Sequence, residues 1–250
     1  MDSDLYEMIF KRKSFHLFAN VGNDTISPEE LKDIEDKFCT FIPLYDNIKV
    51  KMKIVKDNAA CKRGQEYCLY LYSEKKENYL QNIGYIGEQL DLYLVSKNIG
   101  TLWFGIGKPE DNTYDGLDYV IMFAIRKIND GTKFRKDMFK SKRKQLDEIW
   151  SGESLGIEDI TRFAPSACNS QPWYVESKDG KLTVSRYKKP GKRGIMPAAA
   201  VSYFNRIDIG IYLCILELCL DKNGYKYERE LFSDDGGDRE FTKAAVYKIK

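Results

Sequence analysis

The sequence predicts an α+β chain made of two pseudo-symmetric halves, with sheet strands and surrounding helices in each. Three observations carry that expectation. Runs rich in β-branched and aromatic residues alternate with helical patterns in both parts of the chain. Each part also holds one long Leu-rich helical stretch, and the two stretches align. NIGYIGEQLDLYL (82–94) matches DIGIYLCILELCL (208–220) at Ile83/Ile209, Gly84/Gly210, Leu90/Leu216, Leu92/Leu218 and Leu94/Leu220, a spacing of 126 residues from 83 to 209.

In chain order, residues 1–12 read as a short helix. SPEELKDIEDKF (27–38) opens a second, with Ser27 as N-cap, Pro28 at the first helical position and Glu30 completing a capping box. Val50–Val55 and Tyr67–Tyr72 read as strands. In 82–98 the residues Ile83, Ile86, Leu90 and Leu94 share one helical face, and YVIMFAIRK (119–127) is a continuous apolar run suited to a buried strand. A charged stretch, 129–145, precedes an expected helix near Gln145–Trp150 and another helical segment at 157–163. Strands follow around Trp173–Glu176 and Leu182–Tyr187. Asn205–Lys222 is apolar on nearly every face and therefore a central helix, and strands near Tyr225–Phe232 and Ala244–Ile249 close the chain. The expected division is a first half, 1–140, and a second, 141–250, with the basic segment 141–149 joining them and packing on the first.

Composition narrows the function classes. At 250 residues, 43% hydrophobic and 31% charged, the chain has an ordinary globular balance. A net charge of +2 argues against nucleic acid or a membrane surface as partner, and the basic clusters 11–13 and 140–144 read as local solvated faces. MDSDLYEMIF lacks the basic-then-apolar pattern of a signal peptide, and the run 209–220 is too short to span a bilayer, so the expectation is a soluble, cytoplasmic protein. The six cysteines form no C-x-x-C pair and are expected as reduced thiols. The single histidine, His16, excludes a His-rich zinc site, leaves no metal centre to expect, and makes any Ser-His-Asp triad depend on it alone; no G-x-S-x-G motif supports one. No catalytic side chain is nominated.

The densest local signal is FAPSACNSQPWY (163–174). Pro165 and Pro172 fix their own φ and bias Ala164 and Gln171 towards extended conformations, so a helix ending near Phe163 must give way to a loop. Ser166, Asn169, Ser170 and Gln171 supply donors and acceptors, which suits a planar heterocycle with edge carbonyls and ring nitrogens. A polar turn capping neighbouring helices is the plainer reading.

The stretch resembles the A-P-S-x-x-N-x-Q-P-W signature of FMN-dependent nitroreductases, through Ala164, Pro165, Ser166, Asn169, Gln171, Pro172 and Trp173. Three weaker elements occur in a sensible order. RKSFHLF (12–18) resembles R-R-S-x-R-x-F, NIGTLWFG (98–105) resembles G-L-G-x-x-W-x-G, and RKQLDEI (143–149) resembles R-K-P-L-x-E-I. The chain is similar to the internally duplicated, single-chain TM nitroreductase branch of that family. This resemblance implies a nitroreductase-like fold with central antiparallel or mixed sheets. It also implies a pseudo-dimer within one chain, able to stand as a monomer, with one FMN site between the halves. FIPLYDN (41–47) replaces the P-S-x-x-N loop in the first half and no R-R-S element opens the second, so a symmetry-related second site is expected to be lost.

The implied roles are as follows. Arg12 and Arg143 neutralise the FMN phosphate, with Lys13 beside them and Ser14 donating a hydrogen bond. His16 stands where the family usually has Arg or Lys near the flavin pyrimidine, and is either a flavin contact or a surface residue. Pro165, Ser166, Ala167, Asn169 and Gln171 line the ring and ribityl chain, and a backbone N–H near Gly105 faces flavin N5. NAD(P)H then passes a hydride to the flavin, and a small nitroaromatic, quinone or similar acceptor is reduced in turn. A flavin-binding protein of the same fold without turnover, for storage or sensing, is the alternative.

Overall fold

Two helices can touch backbone to backbone only where side chains are missing, and the chain places a glycine on each at the contact. Helix α3 (Tyr79–Ser96) and helix α5 (Ala198–Lys222) cross at the centre of the protein, with most of 80–95 and all of 207–220 buried. A Cβ added to Gly84 would collide with the Ile207 carbonyl and crowd the Ile211 amide, and one added to Gly210 would collide with the Gln81 carbonyl and crowd the Tyr85 amide. The contact is reciprocal. Ile207 and Ile211 flank Gly210 at the offsets by which Gln81 and Tyr85 flank Gly84.

This structure is a computed structural model that describes residues 4–56, 61–188 and 196–250. Ahead of the crossing come α1 (Asp4–Lys11) and α2 (Pro28–Phe38). The capping box of α2 is present as its sequence predicts, Ser27 accepting from the Glu30 amide and Glu30 accepting from the Ser27 amide.

The first sheet runs in the order β1 (Val50–Val55), β2 (Tyr67–Ser73), β5 (Leu117–Lys127), β3 (Ile99–Phe104), all antiparallel. A short β4 (Thr113–Tyr114) folds back on β5 through Asp115-Gly116, whose φ values of 50° and 77° suit a two-residue hairpin. Strand periodicity sends Leu69 and Leu71 into the main core with α3, and Cys68, Tyr70 and Tyr72 to a second cluster. Phe15 and Phe18 cover that second cluster, so both faces of β2 are buried.

The second sheet runs β6 (Trp150–Gly152), β7 (Trp173–Lys178), β8 (Lys181–Tyr187), β10 (Phe241–Ile249), β9 (Tyr227–Leu231). Its strands are antiparallel except β6, which lies parallel to β7. A short helix α4 (Glu158–Thr161) precedes β7. Setting aside β4 and β6, two strands of each sheet lead into the long helix and two follow it. The neighbour order β1-β2-β5-β3 has the same pattern as β7-β8-β10-β9. The fold is α+β, with antiparallel and mixed sheets.

Two expectations change. Residues 145–150 form no α-helix but a 3₁₀ turn, Leu146–Glu148, followed by β6, because the Val175 amide captures the Ile149 carbonyl for the sheet edge. Segment 141–149 hydrogen-bonds in both directions: the Ser141 amide donates to the Met138 carbonyl, the Arg162 side chain donates to the Lys144 carbonyl, and Lys144 donates to Gln171. Strand β3 lies where sequence patterning marked only a motif. Helix α5 has the length and apolarity to cross a membrane, yet it is buried against α3 and carries Asp208 and Glu217 in its buried part.

Gly84→Ala and Gly210→Ala should each lower stability by about 1–3 kcal/mol, the usual cost of overpacking. Urea unfolding measures this, and unchanged midpoints would mean that the helices can separate without cost.

Candidate functional site

The loop after α4 takes an unusual backbone path. Cys168, Asn169 and Gln171 have φ of 50°, 55° and 48°, the left-handed region that non-glycine residues seldom occupy. Strain of this kind persists only where surrounding contacts impose it. Here they do. The Gln171 amide donates to Ser166 Oγ at 3.0 Å, and Gln171 Oε1 accepts from the Lys144 amide at 2.9 Å. Lys144 Nζ donates to the Gln171 carbonyl at 2.7 Å. Asp208 of α5 accepts from the Ala167 amide at 2.9 Å and from Ser170 Oγ at 3.3 Å. Beyond the loop, Trp173 stacks on Tyr212 of α5 with ring centroids 4.8 Å apart, and Pro165 is buried.

A basic cluster meets the loop. Arg143 donates to Asn169 Oδ1 and to the Phe163 carbonyl, each at 3.1 Å, and Asn169 Nδ2 donates to the Lys142 carbonyl at 3.1 Å. Arg12, at the end of α1, is buried and donates from Nε to Asp91 of α3 at 2.8 Å. Asp91 also accepts from Thr101 Oγ1 and from Trp103 Nε1, so one carboxylate ties α1, α3 and β3 together. Arg135 is drawn in by its backbone amide, which donates to the Lys11 carbonyl at 3.0 Å.

These guanidinium groups feel one another. Burial first, then the charge of Arg12, pushes Arg135 down to about 10. Burial, then Arg135, Arg12 and Arg162, pushes Arg143 down to about 10. Glu88, one turn before Asp91, is buried beside this charge: burial and then Asp91 raise its carboxyl well above the usual range, against the pull of Arg12. Arg12 Nη2 and Arg143 Nε are buried donors without a hydrogen-bond partner among the described residues. Clustered positive charge with unused donors is an arrangement able to bind an anion.

The remaining sequence candidates fall around this centre. Ser14 forms a parallel β-bridge with Thr101, and Lys13 Nζ donates to the Lys133 carbonyl at 2.6 Å while lying over the Phe15 ring. His16 is exposed. Gly105, at the end of β3, is exposed, and a Cβ there would stand 2.6 Å from the Phe204 ring of α5. Gln171 is spent on Lys144 and Asn169, which makes its side chain a brace for the loop. Sequence reasoning missed Arg135, Asp91 and Asp208. Arg135 lay in the charged stretch 129–145, read only as a separator between the halves, whereas Asp91 and Asp208 were visible as acids inside apolar helices.

Asp91→Ala should cost about 3–5 kcal/mol, because it strands the buried Arg12 charge; chemical denaturation reads this directly. The buried Asp208 carboxyl is pushed up to about 8, mainly by burial and against the pull of Ala167 and Ser170. The folded chain therefore keeps a proton that the unfolded chain releases at about 4. Stability from this group is full below about pH 4 and is lost as pH rises through about 8. Asp208→Asn should remove that slope, so its melting temperature should gain on the wild type between pH 5 and pH 8. An equal gap at both pH values would refute the assignment.

The chain matches the family model "Putative TM nitroreductase" over residues 4–219. It is similar in fold to a structure described as a putative nitroreductase from Thermotoga maritima, at 20% identity and a TM-score of 0.61, covering 98% of this chain and 93% of that one. A nitroreductase family protein from Clostridium novyi matches at 19% identity and a TM-score of 0.40, covering 52% of this chain and 87% of that one. A putative NADH oxidase from Clostridium acetobutylicum matches at 12% identity and a TM-score of 0.43, covering 59% and 99%. No curated protein matches the chain. With the family model covering the first sheet, the α3–α5 crossing and strands β6, β7 and β8 of the second sheet, the chain belongs to the TM nitroreductase family.

Proposed function

We propose that this protein is an FMN-dependent oxidoreductase that takes electrons from NAD(P)H and passes them to a nitroaromatic, quinone or similar small acceptor. The observation that carries the reading is the meeting of Arg12, Arg135 and Arg143 with Asn169, where buried guanidinium nitrogens lack partners. A dianionic phosphate suits those donors, and the residues present fit the group. Arg12, Arg135 and Arg143 would hold the phosphate, with Ser14 and Lys13 beside them. Ser166, Ala167 and Asn169 would hold the ribityl chain and ring edge, and Pro165 would shape the wall. The Gly105 amide would address the ring, with Phe204 beside it. When bound, FMN supplies the centre that accepts and returns a hydride. The protein supplies charge, orientation and a partly dry wall.

Internal duplication with one site per chain is part of the reading. It is supported by the reciprocal glycine contact and the matching strand orders. The polar ties around two acids also support it. Asp91 accepts from Thr101 and Trp103 of β3, while Glu217 accepts from Tyr227 and Arg229 of β9, every residue displaced by 126 positions (91 to 217). The loop 41–47 has Leu44 and Tyr45 where 163–169 has Ser166 and Ala167, so it lacks the hydroxyl that braces Gln171.

Titration of the purified protein with FMN should give saturable binding with a perturbed flavin spectrum. Arg135→Gln and Asn169→Ala should each weaken it by about 1.5–3 kcal/mol, roughly 10- to 100-fold. NAD(P)H should bleach the bound flavin anaerobically, and a nitroaromatic should restore its colour. Flavin that binds but is not bleached would leave a storage or sensing protein. Absence of flavin binding would remove the cofactor reading altogether.

A further inference from the structure

Asp208 stands out because an asparagine does the same mechanical work elsewhere in the molecule. Two residues before Gly84 in α3, Asn82 Oδ1 accepts from the Leu44 and Tyr45 amides at 2.9 and 3.0 Å, and so holds the loop 41–47. Two residues before Gly210 in α5, Asp208 accepts from the Ala167 amide and the Ser170 hydroxyl, and so holds the loop 166–170. Both side chains are buried. A neutral amide suffices at the first loop. At the second, the chain instead buries a carboxyl, which costs stability when ionised. No ion pair among the described residues repays that cost.

We propose that Asp208 is a positioning residue for the cofactor loop, a carboxyl whose charge state sets how firmly Ala167 and Ser170 are held and hence how well the loop receives its ligand. The proposal rests on the flavin reading for the identity of that ligand, but not for the behaviour of the loop. An ionised carboxylate is the stronger acceptor for both donors. The loop it grips is the one with left-handed backbone at Cys168, Asn169 and Gln171, and such a backbone relaxes when its restraints weaken.

On α3, Glu88 is buried without a hydrogen-bond partner among the described residues and is not among the influences on Asp208; the other titratable groups on α5 and the elements packed against it are engaged elsewhere. On α5, Arg206 donates to the Ser202 carbonyl and Tyr212 to Thr161. On α3, Tyr85 donates to Glu217; in α4, Glu158 accepts from Ser154; on β8, Arg186 is paired with Asp234. Cys168, in the loop itself, is exposed. The influences on Asp208 are thus its burial and its two donors, and its carboxyl titrates at about 8.

The test uses Cys168 as a reporter and Cys39, also exposed and in another element, as its internal standard. In ligand-free wild type, the ratio of Cys168 to Cys39 alkylation by iodoacetamide should fall several-fold between pH 7 and pH 9, as the carboxylate forms and tightens the loop. In Asp208→Asn the ratio should stay flat. In Ser170→Ala, which loses one donor to the carboxylate, the midpoint should move upward. The FMN dissociation constant should follow the same pH course in wild type and lose it in Asp208→Asn. Identical pH courses of labelling in folded wild type and Asp208→Asn would overturn the proposal. Should Asp208→Asn not fold, an unmoved midpoint in Ser170→Ala would overturn it equally. If FMN binds none of these proteins, the flavin reading fails while the labelling ratio still decides the role of Asp208.

Discussion

The structure depends on the backbone contact between α3 and α5. Gly84 against the 207–211 backbone and Gly210 against the 81–85 backbone leave no room for a side chain on either helix. Helices this close bury nearly every residue near the crossing. Polar groups there must then find partners within the protein. Much of what matters in the molecule follows from that requirement.

The acids on the two helices illustrate it. Asp91 gathers Arg12, Thr101 and Trp103, and Glu217 gathers Tyr85, Tyr227, Arg229 and Tyr247. Each fastens its helix to the strand that follows it. At Asp91 the same act brings Arg12 into the interior and leaves one face of its guanidinium unused. A structural tie thereby helps to bring Arg12 within reach of the charges of Arg135 and Arg143. Around Glu217 the equivalent space is filled by tyrosine hydroxyls and an arginine already paired, so no comparable excess of charge develops there.

The loop 163–171 meets this cluster because the connecting segment 128–149 crosses to the second sheet. By adding β6 to the edge of β7, the chain brings Arg143 and Lys144 against Asn169 and Gln171. Burial and mutual repulsion depress Arg135 and Arg143. That repulsion and the buried Asp208 both cost stability.

Periodicity and turn chemistry determined the helices α2, α3 and α5 and most strands from sequence alone, because those signals are local: an N-cap box, an apolar stripe, an alternating run. The spacing of Gly84 and Gly210 was legible too, as were the basic element at 12–14 and the loop at 164–173. The tertiary structure decided the rest. Residues 145–150 became a turn and a sheet edge because a neighbouring strand supplied hydrogen bonds that a six-residue helix could not match. Arg135 joined the site because its backbone pairs with Lys11, a contact between residues 124 positions apart (11 to 135) that no local pattern records. The role of Asp208 likewise depends on which loop lies over its carboxyl. Local chemistry fixes what an element is; only packing decides which charges it meets.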